Sequence, residues 1–187
     1  MGSEQAPELL LRLETERLVL RDFTEEDWPE VLEYQRQPEY LRFYPWESRD
    51  EDDVRGYIAL FLGWQREIPR HRFQLAITLA DTGAIIGNVG VRAEVPGALS
   101  ADLGFELDAR YWGRGYATEA AAAMLEFGFE QLDLHRLVAH CIADNTASAR
   151  VLERIGMRQE GRLRQSEYFK DRWWDVLLFG MLSSDRA

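Results

Sequence analysis

The sequence predicts a single mixed α/β domain built around a largely antiparallel sheet. The chain has 187 residues, of which 46% are hydrophobic and 12% aromatic, which suits one apolar core and argues against disorder. Segments of alternating polarity and segments of helical periodicity follow each other in the order β-α-α-β-β-β-α-β-α-β-β, with seven strands and four helices. No repeat and no Pro/Gly/Ser-rich linker interrupts this order, so we expect one domain.

The first third of the chain predicts one strand and two helices. Residues 17–23 form the strand, and Thr24 is expected to cap a helix with an acidic first turn. Ser48 is expected to open the second helix, which carries acidic residues 50–53 at its start and ends before Pro69.

The rest of the chain predicts six strands and two helices. The Asp81-Thr82-Gly83 turn joins the first two of these strands into a hairpin. Gly156 suits the C-cap of the last helix. The expected strands are 72–79, 84–91, 100–107, 136–142, 157–169 and 173–182, and the expected helices are 116–132 and 144–155.

Composition excludes several classes of protein. A net charge of −11 argues against nucleic acid or an anionic membrane as a partner, because both attract cationic surfaces. The sequence contains no run of about 18 apolar residues, so it predicts no membrane-spanning helix. The polar residues 1–8 do not resemble a signal sequence, so we expect a cytoplasmic protein. The single cysteine, Cys141, excludes an internal disulfide and a cysteine-rich metal site; we expect this thiol to be buried and inert, and we expect no metal.

The main chemical signal is the glycine-rich turn at residues 110–117, which lies between a strand and a helix. Gly113 and Gly115 let backbone N–H groups approach a ligand, and a helix N-terminus favours phosphate. Arg110 and Arg114 add positive charge. The alternative is an ordinary tight turn. The hypothesis that the chain is a nucleotide-binding protein rests on this turn alone. The third glycine of the dinucleotide-binding pattern is replaced by Thr118, and the Gly-Lys-Ser/Thr motif of phosphate-binding loops is absent.

The segment Arg110-x-x-Gly113-x-Gly115-x-Ala117 resembles the Q/R-x-x-G-x-G/A segment of the GCN5-related N-acetyltransferase (GNAT) family. Residues 112–120 and 14–21 are similar to the branch that holds the Rim-type (RimJ- and RimL-like) ribosomal-protein N-acetyltransferases. The resemblance covers roughly residues 12–182, which implies a GNAT domain over residues 12–182 and an N-terminal extension at residues 1–11. It implies the GNAT fold, in which two splayed strands admit the pantetheine of CoA.

The resemblance also implies an activity. Acetyl-CoA would be the co-substrate, and its acetyl group would pass to a primary amine by direct attack in a ternary complex, without a covalent enzyme intermediate. The acceptor would be a protein N-terminus or a small amine. A non-catalytic acyl-CoA sensor of the same fold is the alternative. The resemblance is compatible with a homodimer, which the sequence does not test.

By the same resemblance, three segments would hold the cofactor. The residues are Phe105, Glu106, Leu107, Arg110, Gly113, Arg114, Gly115, Tyr116, Ala117, Thr118, Asn145 and Ser148. The backbone N–H of Leu107 would donate to the oxyanion of the tetrahedral intermediate. Asn145 would contact the pantetheine, although helix capping explains it equally well, and Ser148 would hold or protonate the CoA sulfur.

A proton must leave the acceptor, because an ammonium nitrogen has no lone pair to attack with. Glu167 is the first candidate base: it follows Ser148 by 19 positions, as the base proposed for the Rim-type branch does. The alternative is a solvated strand glutamate. Glu106 and Asp102 are the next candidates, and Tyr168 is an alternative acid. The three histidines, His71, His135 and His140, show no pairing pattern and are expected to be structural.

Three further expectations concern the acceptor side. The terminal hairpin turn has Arg172 where related chains often have glycine, which leaves the aim of Glu167 open. The aromatic residues Tyr40, Phe43, Tyr44, Trp46 and Trp64 either line a pocket or pack in the core. Residues 1–60 hold 16 acidic residues against 7 arginines, a net of −9, which either attracts a cationic amine or only caps helices and solvates the surface.

Overall fold

The computed structural model describes residues 10–186, which form the predicted mixed α/β domain. The described part of the chain contains eight strands and five α-helices. The strands are β1 (Arg12–Glu14), β2 (Leu18–Asp22), β3 (Arg72–Leu79), β4 (Ile85–Ala93), β5 (Ser100–Leu107), β6 (Arg136–Ile142), β7 (Arg158–Phe169) and β8 (Arg172–Leu182). The helices are α1 (Trp28–Gln35), α2 (Pro38–Leu41), α3 (Glu51–Gln65), α4 (Tyr116–Glu130) and α5 (Thr146–Arg154). The predicted polar segment at residues 1–8 lies outside the described residues.

All eight strands form one sheet in the order β1-β2-β3-β4-β5-β6-β8-β7. Every neighbouring pair is antiparallel except β5 and β6, which are parallel and pair only over Ser100–Asp102 and Arg136–Val138. Beyond these three rungs both strands continue, to Leu107 and Ile142, without pairing to each other. This divergence confirms the predicted splayed pair and opens a wedge in the middle of the sheet.

Two apolar cores cover the two faces of the sheet. Helices α4 and α5 pack on one face, which we call the back side, around Met124, Leu137 and Leu152. Helices α1 and α3 pack on the other, the front side, around Val31, Ile58 and Ala76. No helix among residues 10–186 is long and apolar enough to cross a membrane.

Two short elements and one cap differ from the sequence prediction. Strand β1 has three residues and α2 a single turn, so neither is long enough to show a periodic pattern. The cap of α3 is Asp50 rather than Ser48: Asp50 accepts from the backbone N–H of Asp53, and Asp53 accepts from that of Asp50. The acidic run at residues 50–53 therefore supplies a reciprocal helix cap.

The turn of the terminal hairpin does not require a positive φ angle at Arg172. The positive φ angles fall on Lys170 (+51°) and Asp171 (+56°), while Arg172 already lies in β8. Two successive left-handed residues make a two-residue turn that matches the twist of the flanking strands. Glu167 thus lies in register opposite Trp174, and the Lys170 ammonium donates to the backbone oxygen of Leu41 at 2.7 Å.

Candidate active site

The wedge between β5 and β6 opens into a cleft of about 920 Å³ that reaches both sides of the sheet. On the back side the cleft is lined by the glycine-rich turn and the start of α5, and on the front side by α2 with its following loop and by the end of β7. The N-terminus of α4 and the front-side carboxylates therefore line one continuous cavity.

The glycine-rich turn presents a row of free backbone donors. Gly113 and Gly115 adopt φ angles of +74° and +83°, a conformation that a residue with a Cβ adopts only with strain. In the part of the chain that the structure describes, the six consecutive N–H groups from Gly113 to Thr118 donate to no protein acceptor. Together with the positive end of the α4 dipole, these donors suit a pyrophosphate.

The turn is held from behind by Arg17. Its guanidinium donates to the backbone oxygen of Arg114 at 2.9 Å and to the Glu119 carboxylate at 2.7 Å, and it lies over the Tyr116 ring. Glu119 also accepts from the Thr15 hydroxyl at 2.7 Å. Burial alone would raise the Glu119 pKa, but the hydrogen bonds from Thr15 and Arg17 lower it below its ordinary value.

The two arginines of the turn are placed differently from the backbone donors. The Arg110 guanidinium is bonded to Asp108 at 2.6 Å and to Glu33 at 2.5 Å, and the Arg114 guanidinium lies near the Tyr111 ring. Neither side chain lines the cleft. Because Arg110 is already paired with two carboxylates, the backbone N–H groups are the stronger donor set for a phosphate.

Helix α5 brings Asn145 and Ser148 to the back of the cleft. Asn145 is the N-cap, and its side-chain oxygen accepts from the backbone N–H of Ser148 at 3.1 Å, as the capping alternative predicted. Ser148 lines the cleft near the Cys141 thiol, and Cys141 is 8% exposed. Burial raises the Cys141 pKa to about 11, so this thiol is a poor nucleophile at neutral pH.

The register of β4 and β5 turns one backbone donor toward the wedge. The N–H of Asp108 donates to Ile86 at 2.8 Å, and Leu107 lies opposite Gly87. Amides alternate in direction along an antiparallel ladder, so the N–H of Leu107 points away from β4, toward the gap. The carbonyl of Leu107 accepts from the Trp112 indole at 2.8 Å, which fixes this end of β5.

Register also gathers four titratable side chains on the front side of the wedge. Asp102 and Glu106 are four residues apart on β5 and so share a face. Asp102 lies opposite Val138 in the parallel pair, which puts His140, two residues further along β6, on that same face. Glu167 lies on this face too, because its partner on β8 is Trp174. Trp174 shares a face of β8 with Leu178, which is the partner of His140. All four side chains line the cleft.

Glu106 is a buried carboxylate, 9% exposed, enclosed by neutral donors. Its donors are Tyr34 (2.7 Å), Gln35 (2.9 Å), Asn88 (2.5 Å), Tyr40 (2.8 Å) and Tyr44 (3.1 Å). Among residues 10–186 no basic side chain forms an ion pair with it. Burial, followed by the charge of Glu106, raises the pKa of Tyr34, Tyr40 and Tyr44, which keeps these phenols protonated.

Stacked aromatic rings form the wall beside Glu106. Tyr44 lies between Tyr40 and Trp46, with 4.6 Å between ring centroids on each side, and Phe43 packs edge-on against Trp174. Tyr40, Phe43, Tyr44 and Trp46 all line the cleft, as the pocket alternative predicted. Tyr40 and Tyr44 also pack with the front-side core, so the core alternative holds for these two as well. Trp64 does not: it packs against the front-side core, as the core alternative predicted.

The other front-side side chains differ in whether protein partners already bind their polar atoms. Glu167 is exposed, and its carboxylate takes no hydrogen bond or ion pair from the residues that the structure describes. Asp102 is paired with Arg92 and lies 3.6 Å from Nδ1 of His140. Tyr168 is 57% exposed and packs on the Trp173 ring.

The structure places His140 beside a carboxylate, although the sequence showed no pairing pattern for this residue. Its side chain is 66% exposed, lines the cleft and faces a carboxylate. Sequence spacing did not show this, because the pairing joins two strands that are parallel for only three rungs. His71 contacts Glu67, and neither His71 nor His135 lines the cleft. No group of three or more potential metal ligands occurs among residues 10–186.

The family described as acetyltransferase (GNAT) domain matches residues 17–158. The chain is 30% identical to an uncharacterized N-acetyltransferase, YnaD, of Bacillus subtilis over 94% of this chain and 99% of the relative. It is 27% identical to the [ribosomal protein uS5]-alanine N-acetyltransferase of Escherichia coli, over 94% and 92% of the two chains. A solved GNAT acetyltransferase from Bacillus anthracis superimposes with a TM-score of 0.81 at 29% identity, covering 93% of this chain and 99% of that one.

Proposed function

The chain belongs to the GNAT acetyltransferase family, and from this premise we propose that it transfers the acetyl group of acetyl-CoA to a primary amine bound on the front side of the cleft. The observation that carries the proposal is the wedge itself. Free backbone donors lie on its back side, while an anionic, aromatic-walled pocket lies on its front side. A thioester placed in the gap would contact the backbone donors on the back side and would be accessible to an amine in the front-side pocket.

The back of the cleft has the donor set that a CoA group needs. The six free N–H groups from Gly113 to Thr118 would bind the pyrophosphate, and the free edge of β5 at Phe105–Leu107 would pair with the pantetheine. Asn145, with its oxygen used in the helix cap, has its amide N–H groups left for the pantetheine. Acetyl-CoA would supply the activated acyl group as a thioester.

The reaction is a direct attack. The amine nitrogen forms a bond to the thioester carbon, and the carbonyl oxygen becomes an oxyanion that accepts from the N–H of Leu107. The C–S bond then breaks, and the electron pair leaves with the CoA sulfur. Ser148, whose hydroxyl lies on the back side, would donate a proton or a hydrogen bond to that sulfur. Because Cys141 is buried and its pKa is raised, we expect no acetyl-enzyme intermediate.

The front side would bind the acceptor as an ammonium ion. Glu106 supplies a buried negative charge that no basic residue of the described chain neutralises, and the phenol oxygens of Tyr40 and Tyr44 keep lone pairs that can accept from an ammonium group. The aromatic wall adds cation–π attraction. The acceptor is therefore a primary amine that carries a positive charge before it reacts.

Proton removal requires a group with free basic atoms. Both oxygens of Glu106 already accept hydrogen bonds, so this carboxylate suits charge stabilisation better than proton transfer. Among the carboxylates, Glu167 is the one that we propose to assist proton removal, because its oxygens are free and it lines the cleft.

The test is CoA release from acetyl-CoA in the presence of a panel of amines, with the product identified by mass spectrometry. The name of the E. coli relative specifies an alanine of a ribosomal protein, so the panel should include peptides with free N-termini beside alkylamines and polyamines. Amine-dependent release with an N-acetylated product supports the proposal. Tight acetyl-CoA binding without release for any amine contradicts it and indicates an acyl-CoA sensor.

The cellular setting follows from the same assignment. Acetyl-CoA is a cytoplasmic metabolite, so we propose a cytoplasmic location. We also propose, from the family resemblance, that the chain forms a homodimer. Analytical ultracentrifugation at micromolar concentration tests this.

A further inference from the structure

The geometry points to His140 as the group that takes the proton from the acceptor amine, with Asp102 orienting its ring and Glu167 stabilising its charged form. This inference rests on the proposed acetyl transfer and deepens it by naming the base. It is carried by the position of the imidazole, which projects from β6 just beyond the last rung that β6 shares with β5.

The position is the one that the reaction needs. Strands β5 and β6 part after Asp102 and Val138, and the thioester would lie in the gap that follows. His140 comes two residues after Val138 on the front side, the side of Glu106 and the aromatic wall. An amine that approaches the thioester from the front side passes this imidazole.

Asp102 selects the tautomer that a base requires. Nδ1 of His140 faces Oδ2 of Asp102 at 3.6 Å, so the carboxylate favours the hydrogen on Nδ1. The lone pair then resides on Nε2, and the exposed ring can present it to the cleft. Arg92 lies directly opposite Asp102 in the β4–β5 pair, and Gly104 leaves space for its guanidinium, because a Cβ at Gly104 would lie 2.4 Å from that group. Arg92 thereby fixes the carboxylate that orients the ring.

The charges around the imidazole favour proton uptake. Asp102 on β5 raises the His140 pKa above its ordinary value, burial and Arg92 on β4 oppose this, and Glu167 on β7 raises it further. The β8 neighbour, Leu178, carries no charge. An ordinary carboxyl has a pKa of about 4 and an imidazole about 6.5, whereas amines lie at about 8 to 10, so the imidazole is the better matched base.

The proton balance is simple. The ammonium N–H bond breaks, its electron pair stays on nitrogen for the attack, and the proton forms an N–H bond at Nε2 of His140. As the C–S bond breaks, a second N–H proton leaves the nitrogen and, passed on through water and the Ser148 hydroxyl, forms the S–H bond of CoA. The imidazolium is then flanked by Asp102 and Glu167, and because the ring is exposed it releases the proton to water at the mouth of the cleft. Glu167 therefore contributes to proton removal through the charge on His140.

Kinetics and nuclear magnetic resonance test this assignment on the full chain. His140→Gln removes the titrating group, and His135→Gln is the matched control, since His135 is also exposed but lies outside the cleft. We expect His140→Gln to lower kcat about a hundredfold or more, to abolish the neutral inflection in the pH profile of kcat/KM and to leave the KM for acetyl-CoA within about twofold. The control should match the wild type.

The titration of His140 provides a readout that does not depend on turnover. The chain has only three histidines, so His140→Gln assigns the resonance. Asp102→Asn and Glu167→Gln should each lower the His140 pKa, because each removes a charge that raises it. An unchanged pKa in Asp102→Asn, or a His140→Gln variant with wild-type rate and pH profile, overturns the inference. A wild type that releases no CoA with any amine instead contradicts the proposed function.

Discussion

The guanidinium of Arg17, in the turn between β1 and β2, holds the carboxylate of Glu119 in the first turn of α4 at 2.7 Å, across 102 positions of the chain. The same guanidinium donates to the backbone oxygen of Arg114 inside the glycine-rich turn. These residues come from the two strings, 14–21 and 112–120, that carry the resemblance to the Rim-type branch. In the folded chain the two strings form one structural unit, in which the first string supports the glycine-rich turn built by the second.

This unit predicts a specific defect in cofactor binding. Glu119→Ala removes the acceptor for Arg17 and Thr15, so the turn loses its support, and we expect about a tenfold weaker affinity for acetyl-CoA with kcat at saturation little changed. Isothermal titration calorimetry measures the affinity. Glu126→Ala is the matched control, because Glu126 is exposed on the same helix. Equal affinities for the two variants would contradict a supporting role for Glu119.

The glycine turn predicts a steric effect at Gly115. Gly115→Val places a branched side chain at a φ of +83°, with its Cβ 3.3 Å from the Arg17 guanidinium, and should abolish measurable acetyl-CoA binding. The control is Gly83→Val, which has a similar φ of +74°, open space around the Cβ and a position in the β3–β4 turn outside the cleft. Gly83→Val should lower thermal stability but not affinity. An unchanged affinity in Gly115→Val would place the phosphate site elsewhere.

Local patterns in the sequence predicted most of the fold. The predicted bounds of β3, β5 and β6 are the observed ones, and the glycine-rich turn located the start of α4. Strand β1 and helix α2 were missed because they are too short to show a period. The cap of α3 was placed two residues early because Ser48 and Asp50 are equally good caps, and only the reciprocal bonds between Asp50 and Asp53 distinguish them.

The site was less predictable because it is made of pairs from distant strands. The sequence identified the backbone donors of the turn, but it did not show that Asp108 and Glu33 occupy Arg110. It identified Glu106 as acidic and on a polar face, but the five donors around it come from α1, α2, β4 and the loop after α2. The contact of His140 with Asp102 depends on the parallel register of β5 and β6, which no local pattern encodes.

The buried charge of Glu106 predicts how the acceptor binds. Glu106→Gln keeps the size of the side chain but removes the charge, so we expect the KM for the amine to rise about tenfold or more while the KM for acetyl-CoA stays constant. The salt dependence of the amine KM should also weaken. The control is Glu26→Gln, the same change of charge on the exposed surface of the acidic N-terminal third. If both variants raised the amine KM equally, long-range attraction by that surface would explain the effect.

The location of Ser148 predicts a separate effect on the leaving group. Ser148→Ala removes the hydroxyl on the back side, where the CoA sulfur would leave, and should lower kcat about tenfold without weakening acetyl-CoA binding. Ser184→Ala, at an exposed position outside the cleft, is the control. Single-turnover rates and calorimetry on the same preparations make the comparison. A wild-type kcat in Ser148→Ala would leave protonation of the sulfur to water.

The charge of Glu167 predicts a change in the pH dependence of the rate. Glu167 raises the pKa of His140, so Glu167→Gln should move the inflection of kcat/KM to lower pH, because the imidazole then loses its proton at lower pH. The variant should also lower kcat, since the imidazolium loses one of its two flanking carboxylates, and it should bind acetyl-CoA normally. Rates measured from pH 6 to 9 check both points. Wild-type behaviour across this range would exclude Glu167 from proton removal.

Rapid mixing of the enzyme with excess acetyl-CoA, with and without an amine acceptor, tests the central claim most directly. If the amine attacks the thioester in a ternary complex, CoA appears only when the amine is present, and the intact mass of the protein stays unchanged. A stoichiometric burst of CoA without amine, together with an added acetyl group at Cys141 or Ser148, would show a covalent intermediate and contradict direct transfer from the back side of the cleft to the front.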